Sequence, residues 1–353
     1  MIKKLTLLTA LFVAATNMSR AQTYSTPAAP AAAPAPSTAR FTLPSQSSVT
    51  IYGIVDEGVA SVRGGASGTV VEVESGAWLA SRIGFKGVED LGDGYRSLFV
   101  LENGFNANDG ISSQSKEFFG RQAYVGLGGP QGTVTLGRIY TPLYLAVDTL
   151  DLDPVSGIGG GSDNIFPRGG VRLDNTVEYR SPTEDGFYGV ATYTLGGVAG
   201  STTANRTIGS LLAYESNPVT VALATNDTHN ATGMVSARNT FLGGSYNFGP
   251  LTAIAAYQMN RADDSTVHNS DTLVGMVVPF GVSIFGVSAI KVSDQGPEHN
   301  DALQLALSYR YALSKRTSLY TSYTHIHNRN PLFFVTAEAS GNIELNVGVM
   351  HKF

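Results

Sequence analysis

The sequence contains no cysteine in its 353 residues, a single tryptophan, and only 14% charged side chains. Without thiols, a disulfide scaffold and any thiolate metal site are excluded. With charge this scarce and 42% of residues hydrophobic, disorder is excluded for most of the length. Glycines are plentiful, at 40, but keep no period of three, and no heptads persist, which excludes collagen and coiled coil. No apolar run of about 18 residues follows the N-terminal segment, so a bundle of membrane-spanning helices is excluded as well. A formal charge of -5 offers no basic footprint for nucleic acid. What is present is glycine with 16 Tyr and 16 Phe, the composition of a large β protein. A mean hydropathy of +0.02 is compatible with a membrane β-barrel, whose alternating strands average out as soluble.

The N-terminus reads as a secretory signal. Lys3 and Lys4 form a positive start, Leu5 to Ala15 an apolar core too short to span a bilayer, and Ser19-Arg20-Ala21 a cleavage site. Removing residues 1–21 leaves 20 basic against 28 acidic residues, a charge of -8. Residues 22–47 are rich in Pro and Ala, and the frequent prolines block both helix and ladder hydrogen bonds, which predicts an extended linker.

From Val49 onward, alternating segments are separated by Gly, Asn, Asp and Pro. In Leu303 to Tyr311 the odd positions are Leu303, Leu305, Leu307, Tyr309 and Tyr311, and the even ones Gln304, Ala306, Ser308 and Arg310. Side chains two apart share a strand face, so one face is apolar and the other small or polar. The last segment repeats this with Ile343, Leu345, Val347 and Val349. Further runs begin near Val49, Ala77, Gly94, Phe118, Gly132, Asn175, Phe187 and onward to Lys315, for 16 predicted strands over residues 48–353.

A soluble sandwich of that size needs bulky residues to fill its core. Here the apolar face is broken by Gly and Ala, while the opposite face repeatedly carries Arg, Lys, Glu, Gln and Asn. A barrel of 16 antiparallel transmembrane strands leaves an aqueous lumen where such residues stay hydrated. Short connections such as Gly128 to Gly132 and Phe248 to Pro250 alternate with longer polar ones at Asn106 to Glu117, Asn226 to Thr240 and Asn328 to Gly341. Short periplasmic turns and long external loops are the asymmetry of outer-membrane barrels. The predicted fold is an all-β transmembrane barrel.

Several stretches carry a specific resemblance. They are Ser47 to Asp56 (SSVTIYGIVD), Ser81 to Gly94 (SRIGFKGVEDLGDG), Phe119 to Leu127 (FGRQAYVGL), Thr135 to Arg138, Tyr311 to Thr317, and the ending Gly348 to Phe353. In this order they resemble the general (non-specific) porins of Gram-negative outer membranes, over about residues 46–353. The resemblance implies a homotrimer of barrels in outer-membrane lipid, each with its third external loop folded inward to narrow the pore. It also implies that the terminal Phe353 addresses the outer-membrane assembly machinery.

The inward loop is visible from the residues themselves. Ile139 to Asp174 lacks strand alternation and is far longer than an ordinary connection. It holds Tyr140, Tyr144, Asp148, Asp151, Asp153 and Asp163, then Arg168 and Arg172. By the resemblance, Arg82, Arg121 and Arg172 match the cationic wall of the constriction, Arg138 the strand entering the loop, and Tyr140 and Tyr144 aromatic positions at its start. Lys86 alternates with Arg82 and is expected on the same lumen face. The loop's middle departs from the family pattern, with Ser156-Gly157-Ile158-Gly159-Gly160-Gly161 in place of an acidic tip. Opposed charges across a narrow aqueous gap orient water and favour small hydrophilic solutes. Arg82, Lys86, Arg121, Arg138 and Arg172 outnumber Asp148, Asp151 and Asp153, which predicts a modest anion preference, with Asp163, Asp56 and Glu102 as acids that would narrow the margin.

Other chemistries have weaker support. Of the six histidines only His325 and His327 share a strand face, with no third metal ligand. Gly159-Gly160-Gly161 lacks a following Gly-Lys-Ser/Thr, and no G-x-S-x-G occurs. No cofactor and no enzymatic activity are expected. The function expected is passive diffusion of small hydrophilic solutes and ions. The alternatives are a substrate-specific channel, a non-conducting structural or adhesion barrel, and a barrel enzyme.

Overall fold

In a computed structural model the described residues are 47–65, 68–114, 117–150, 170–296, 299–330 and 341–353. The expected signal segment and all but the last residue of the linker lie outside them. The strands are β1 (Ser48–Gly65), β2 (Gly68–Ser75), β3 (Arg82–Gly92), β4 (Tyr95–Gly104), β5 (Gln122–Gly129), β6 (Gly132–Tyr140), β7 (Arg172–Arg180), β8 (Phe187–Thr194) and β9 (Thr207–Ser216). They continue as β10 (Val219–His229), β11 (Ser236–Asn247), β12 (Thr252–Ala262), β13 (His268–Phe280), β14 (Ser283–Asp294), β15 (Ala302–Ala312), β16 (Thr317–Asn328) and β17 (Ile343–Lys352). One helix, α1 (Pro142–Thr149), interrupts them among the described residues.

Antiparallel ladders join β3 through β17 in chain order, and β1 pairs with β17 on one edge and β3 on the other, closing the sheet. Closure leaves no strand edge exposed to lipid around the ring. The upper half of β1 pairs with β2 (Glu57 opposite Ser75), the lower half with β3 (Ile54 opposite Arg82). Strands β2 and β3 are therefore two halves of one interrupted stave, and the barrel has the expected 16 strands.

The interruption corrects the expectation of a strand starting at Ala77, since β3 starts at Arg82. Its cause is Asp56, fully buried on β1, which accepts hydrogen bonds from the Leu79 N–H at 2.8 Å and from the Tyr320 hydroxyl. Trp78 packs against Tyr320, centroids 5.5 Å apart, in a cluster with Ile54, Ala77, Leu79 and Met350. A buried carboxylate that collects these donors holds residues 77–80 out of the ladder. The strand expected from Phe118 likewise begins only at Gln122.

Alternation sorts the faces as expected. Leu303, Leu305 and Leu307 are 40%, 49% and 57% exposed, whereas Gln304, Ala306 and Ser308 between them are buried. Apolar side chains face outward, as a lipid-facing wall requires. The inner face is less polar than expected. Leu211, Ala222, Ala224, Phe241, Ile254, Leu273, Ile290 and Ile326 occupy inward positions and are buried with α1 in a single cluster. Part of the lumen wall thus serves as the seat of a helix and not as a water-filled surface.

The ladders end in short turns at one rim (Asn217-Pro218, Pro130-Gln131, Gly281-Val282) and in longer connections at the other. The connection expected over Asn226 to Thr240 is shorter, because the β10–β11 ladder runs up to His229 opposite Ser236. Asp227 and Arg238 face each other there and bond at 2.7 Å. Polarity marks where the apolar band ends, not where the ladder ends.

Candidate constriction site

The long connection between β6 and β7 begins with α1. Thr141 is its N-cap, accepting the Tyr144 N–H at 3.1 Å, and Pro142 occupies the first turn, where a missing N–H costs nothing. Leu143, Leu145, Ala146 and Val147 bury one side of the helix against the apolar inner face of β8 to β11. The start of the long loop is thereby anchored inside the barrel, as the inward-folding expectation requires. Sequence reading did not identify this helix, although Thr141-Pro142 is a helix-start signal. Asp151, Asp153, Asp163, Arg168 and the glycine run lie outside the described residues, so no position is assigned to them.

At the start of α1 the structure gathers a cationic and aromatic cluster. Arg121 is 4% exposed, and its Nε meets Glu102 Oε1 at 2.7 Å. Its Nη2 donates to the Tyr140 hydroxyl at 3.0 Å. Arg172 donates to the same hydroxyl at 3.2 Å and lies over the Tyr140 ring, 4.7 Å from the centroid. Tyr140 and Tyr144 stack at 4.6 Å with planes 15° apart, tying the cluster to the first turn of α1. Cation–π contact holds a guanidinium in place without neutralising it.

Tyr52 extends the cluster along β1, donating to Glu102 Oε2 at 2.8 Å. Its ring lies over Gly84, where any Cβ would run into it. Glycine at 84 is what lets Arg82 and Lys86 flank a tyrosine on one strand face. Lys86 Nζ stands 5.3 Å from the Tyr52 ring centroid. Arg82 donates to the Ala80 carbonyl at 2.9 Å. Both are placed on the lumen face, as alternation predicted.

Two predicted residues behave differently. Arg138 is not brought to the cluster. It bonds Asp174 at 2.6 Å, Glu117 at 3.2 Å and the Gly120 carbonyl at 2.7 Å, pinning the β4–β5 connection to the start of β7. Asp148 sits on α1. The acid that meets a wall arginine is Glu102, a wall residue that periodicity places inward beside Leu98 and Val100. Among the described residues, Arg82 and Arg172 make no ion pair, although Arg82 lies within electrostatic reach of Glu102, which is already bonded to Arg121.

Among the described residues no group of three potential metal ligands occurs. The arrangement is a set of fixed cations and phenols on a closed wall at the start of a helix, a means of shaping a field in water.

Comparison with known proteins gives a consistent result. A family model described as Gram-negative porin matches residues 8–331. Outer membrane porin protein 32 of Delftia acidovorans is 31% identical over 310 residues, 81% of this chain and 85% of the relative. A major outer membrane protein P.IB of Neisseria meningitidis serogroup B is 28% identical, over 86% of this chain and 94% of its own. Among solved structures, the anion-selective porin from Comamonas acidovorans superposes with a TM-score of 0.76 at 26% identity, covering 87% of this chain and all of that one.

Proposed function

The chain belongs to the Gram-negative porin family, and we propose that its conductive path runs past the cluster of Arg82, Lys86, Arg121, Arg172 and Tyr140 at the start of α1. It is an outer-membrane porin for passive diffusion of small hydrophilic solutes and ions. The observation that carries the proposed path is the convergence of Arg121 and Arg172 on the Tyr140 hydroxyl, at 3.0 and 3.2 Å. Glu102 offsets the charge of Arg121, so Arg82, Lys86 and Arg172 carry the field, beside a helix that carries Asp148. The resulting transverse field orders water, so solutes that cannot replace its hydrogen bonds pass less readily. The excess of wall cations over Glu102 favours anions, in keeping with the selectivity of the Comamonas relative. The protein acts as a homotrimer without enzymatic activity. Export uses residues 1–21, residues 22–47 act as a linker, and Phe353 is read by the assembly machinery.

Planar-bilayer recording tests this reading. Ohmic steps in potassium chloride that simple sugars do not block are expected. Saturable block by a sugar would make it a substrate-specific channel, and absence of conductance a structural barrel.

A further inference from the structure

The segment between β2 and β3 has a place in the pore that the constriction cluster does not explain. Ala77, Trp78 and Leu79 are buried, and they cover the inner face of three neighbouring strands: Tyr320 of β16, Met350 of β17, and Ile54 with Asp56 of β1. Counting β2 and β3 as one stave, β16, β17 and β1 are staves 15, 16 and 1 of the ring. The strands under α1, β8 to β11, are staves 7 to 10. Two inward elements thus stand on opposite sides of the lumen, the helix on one and this short strap on the other.

The residues beneath the strap build it. Tyr320 crosses β17, where a Cβ on Gly348 would run into its ring and hydroxyl, and reaches Asp56 on β1. Trp78 rests on the Tyr320 ring and, as the only tryptophan of the chain, brings a second large aromatic ring to this wall. That ring meets Arg310, whose guanidinium stands 5.6 Å from its centroid. Arg310 is half-buried at an inward position of β15, opposite Tyr320 in the register. An aromatic face at about 6 Å or less attracts a guanidinium without cancelling its charge.

The other edge of the strap is held by Arg82, which bonds the Ala80 carbonyl at 2.9 Å. Around the wall, β15 and β3 are four strand spacings apart, about 19 Å. Through the strap the separation is much less, because Trp78 and Ala80 are two residues apart and lie within about 7 Å of each other. Arg310 and Arg82 therefore border the same stretch of lumen. Covering an indole needs only an aliphatic side chain, so the charge at position 310 calls for a use of its own.

We propose that residues 76–81 are a second inward element of the pore, and that Trp78 positions Arg310 as a selectivity-determining cation on the flank away from α1. The inference rests on the reading of the chain as a conducting porin. Trimers of the full-length protein are reconstituted in planar bilayers, and the chloride-to-potassium permeability ratio is read from the reversal potential under a potassium chloride gradient. Arg310→Gln should lower the ratio by about twofold, and Arg310→Lys by less, because lysine keeps the charge. With Trp78→Leu already in place, which keeps apolar bulk and removes the ring, Arg310→Gln should lower the ratio by a smaller step. The Arg310 variants decide the proposal even where Trp78→Leu does not assemble. A ratio unchanged by Arg310→Gln in a conducting protein would overturn the proposal, as would equal steps with and without the indole. A parent protein that does not conduct would overturn the porin reading and this inference with it, an outcome distinct from unchanged selectivity.

Discussion

Arg121 and Glu102 form a buried ion pair on the lumen wall, Nε to Oε1 at 2.7 Å, with both side chains about 5% exposed. The pair holds Arg121 where it reaches Tyr140, and its net charge is zero. Arg121 is therefore a positioning residue in the cluster, and the field comes from its neighbours.

Breaking the pair from either side leaves a buried charge, which typically costs about 3–5 kcal/mol. Arg121→Ser and Glu102→Gln should each lower the temperature at which trimers dissociate on unheated gels, while Arg172→Ser lowers it less. Equal losses for all three would show that the pair contributes nothing special.

Much of this architecture is legible in the order of residues. Strict alternation in segments such as Leu303 to Tyr311 sets both the strands and the face that meets lipid, because one exposed surface and one enclosed surface act on every second residue. Lys86 is legible for the same reason, through its alternation with Arg82, whereas Arg82, Arg121 and Arg172 are legible as wall cations only through the family resemblance. Three features are not. Glu102 becomes the partner of Arg121 only through the β4–β5 register, which brings residues 19 apart into contact. Trp78 and Leu79 fit an alternating pattern, and only Asp56, more than 20 residues earlier, explains why they leave the sheet. Helix α1 is too short for helical periodicity to appear, and the apolar inner patch that seats it is spread over strands distant in sequence.

Asp56 should accordingly behave as a structural residue, although its position on the inner face suggests a pore acid. Asp56→Ala leaves the Leu79 N–H and Tyr320 hydroxyl without an acceptor, each such loss costing about 1–3 kcal/mol. Limited proteolysis of intact cells should then cut within residues 76–81, where the unaltered protein resists. Tyr320→Phe, which removes one donor and keeps the ring against Trp78, should produce a smaller increase. Resistance equal to the unaltered protein in Asp56→Ala would remove this account of the stave break.

The chain end closes the barrel in a specific way. Phe353 and Gly53 exchange both backbone hydrogen bonds, at 3.1 and 3.0 Å, and the Phe353 ring occupies the space a side chain at 53 would need. Deletion of Phe353 and Gly53→Leu should therefore both reduce heat-stable trimers, the first by removing the ring and the second by displacing it. If Phe353 acts solely as an address read during export, Gly53→Leu will assemble normally while the deletion does not. Gel migration of outer-membrane fractions distinguishes the two.

Ion selectivity follows from which cations remain uncompensated. The formal charge of the whole chain is -5, but acids in solvent-exposed connections are screened within about 8 Å at physiological salt. On the constriction wall, Glu102 offsets Arg121, and Arg138 is held by Asp174 and Glu117 away from the cluster. Among the described residues, Arg172 is held through the Tyr140 ring and hydroxyl and Arg82 through the Ala80 carbonyl, contacts that leave their charge intact, and Glu102, within electrostatic reach of Arg82, is bonded to Arg121. Under a potassium chloride gradient the reversal potential should thus have the sign of anion preference. Arg82→Ser with Arg172→Ser should move it toward cations by more than Arg121→Ser alone. Glu102→Gln should move it the other way, because it exposes the charge of Arg121. A cation-selective parent protein would refute the assignment of the wall, and an equal shift from Arg121→Ser and Arg172→Ser would refute the role given to Glu102.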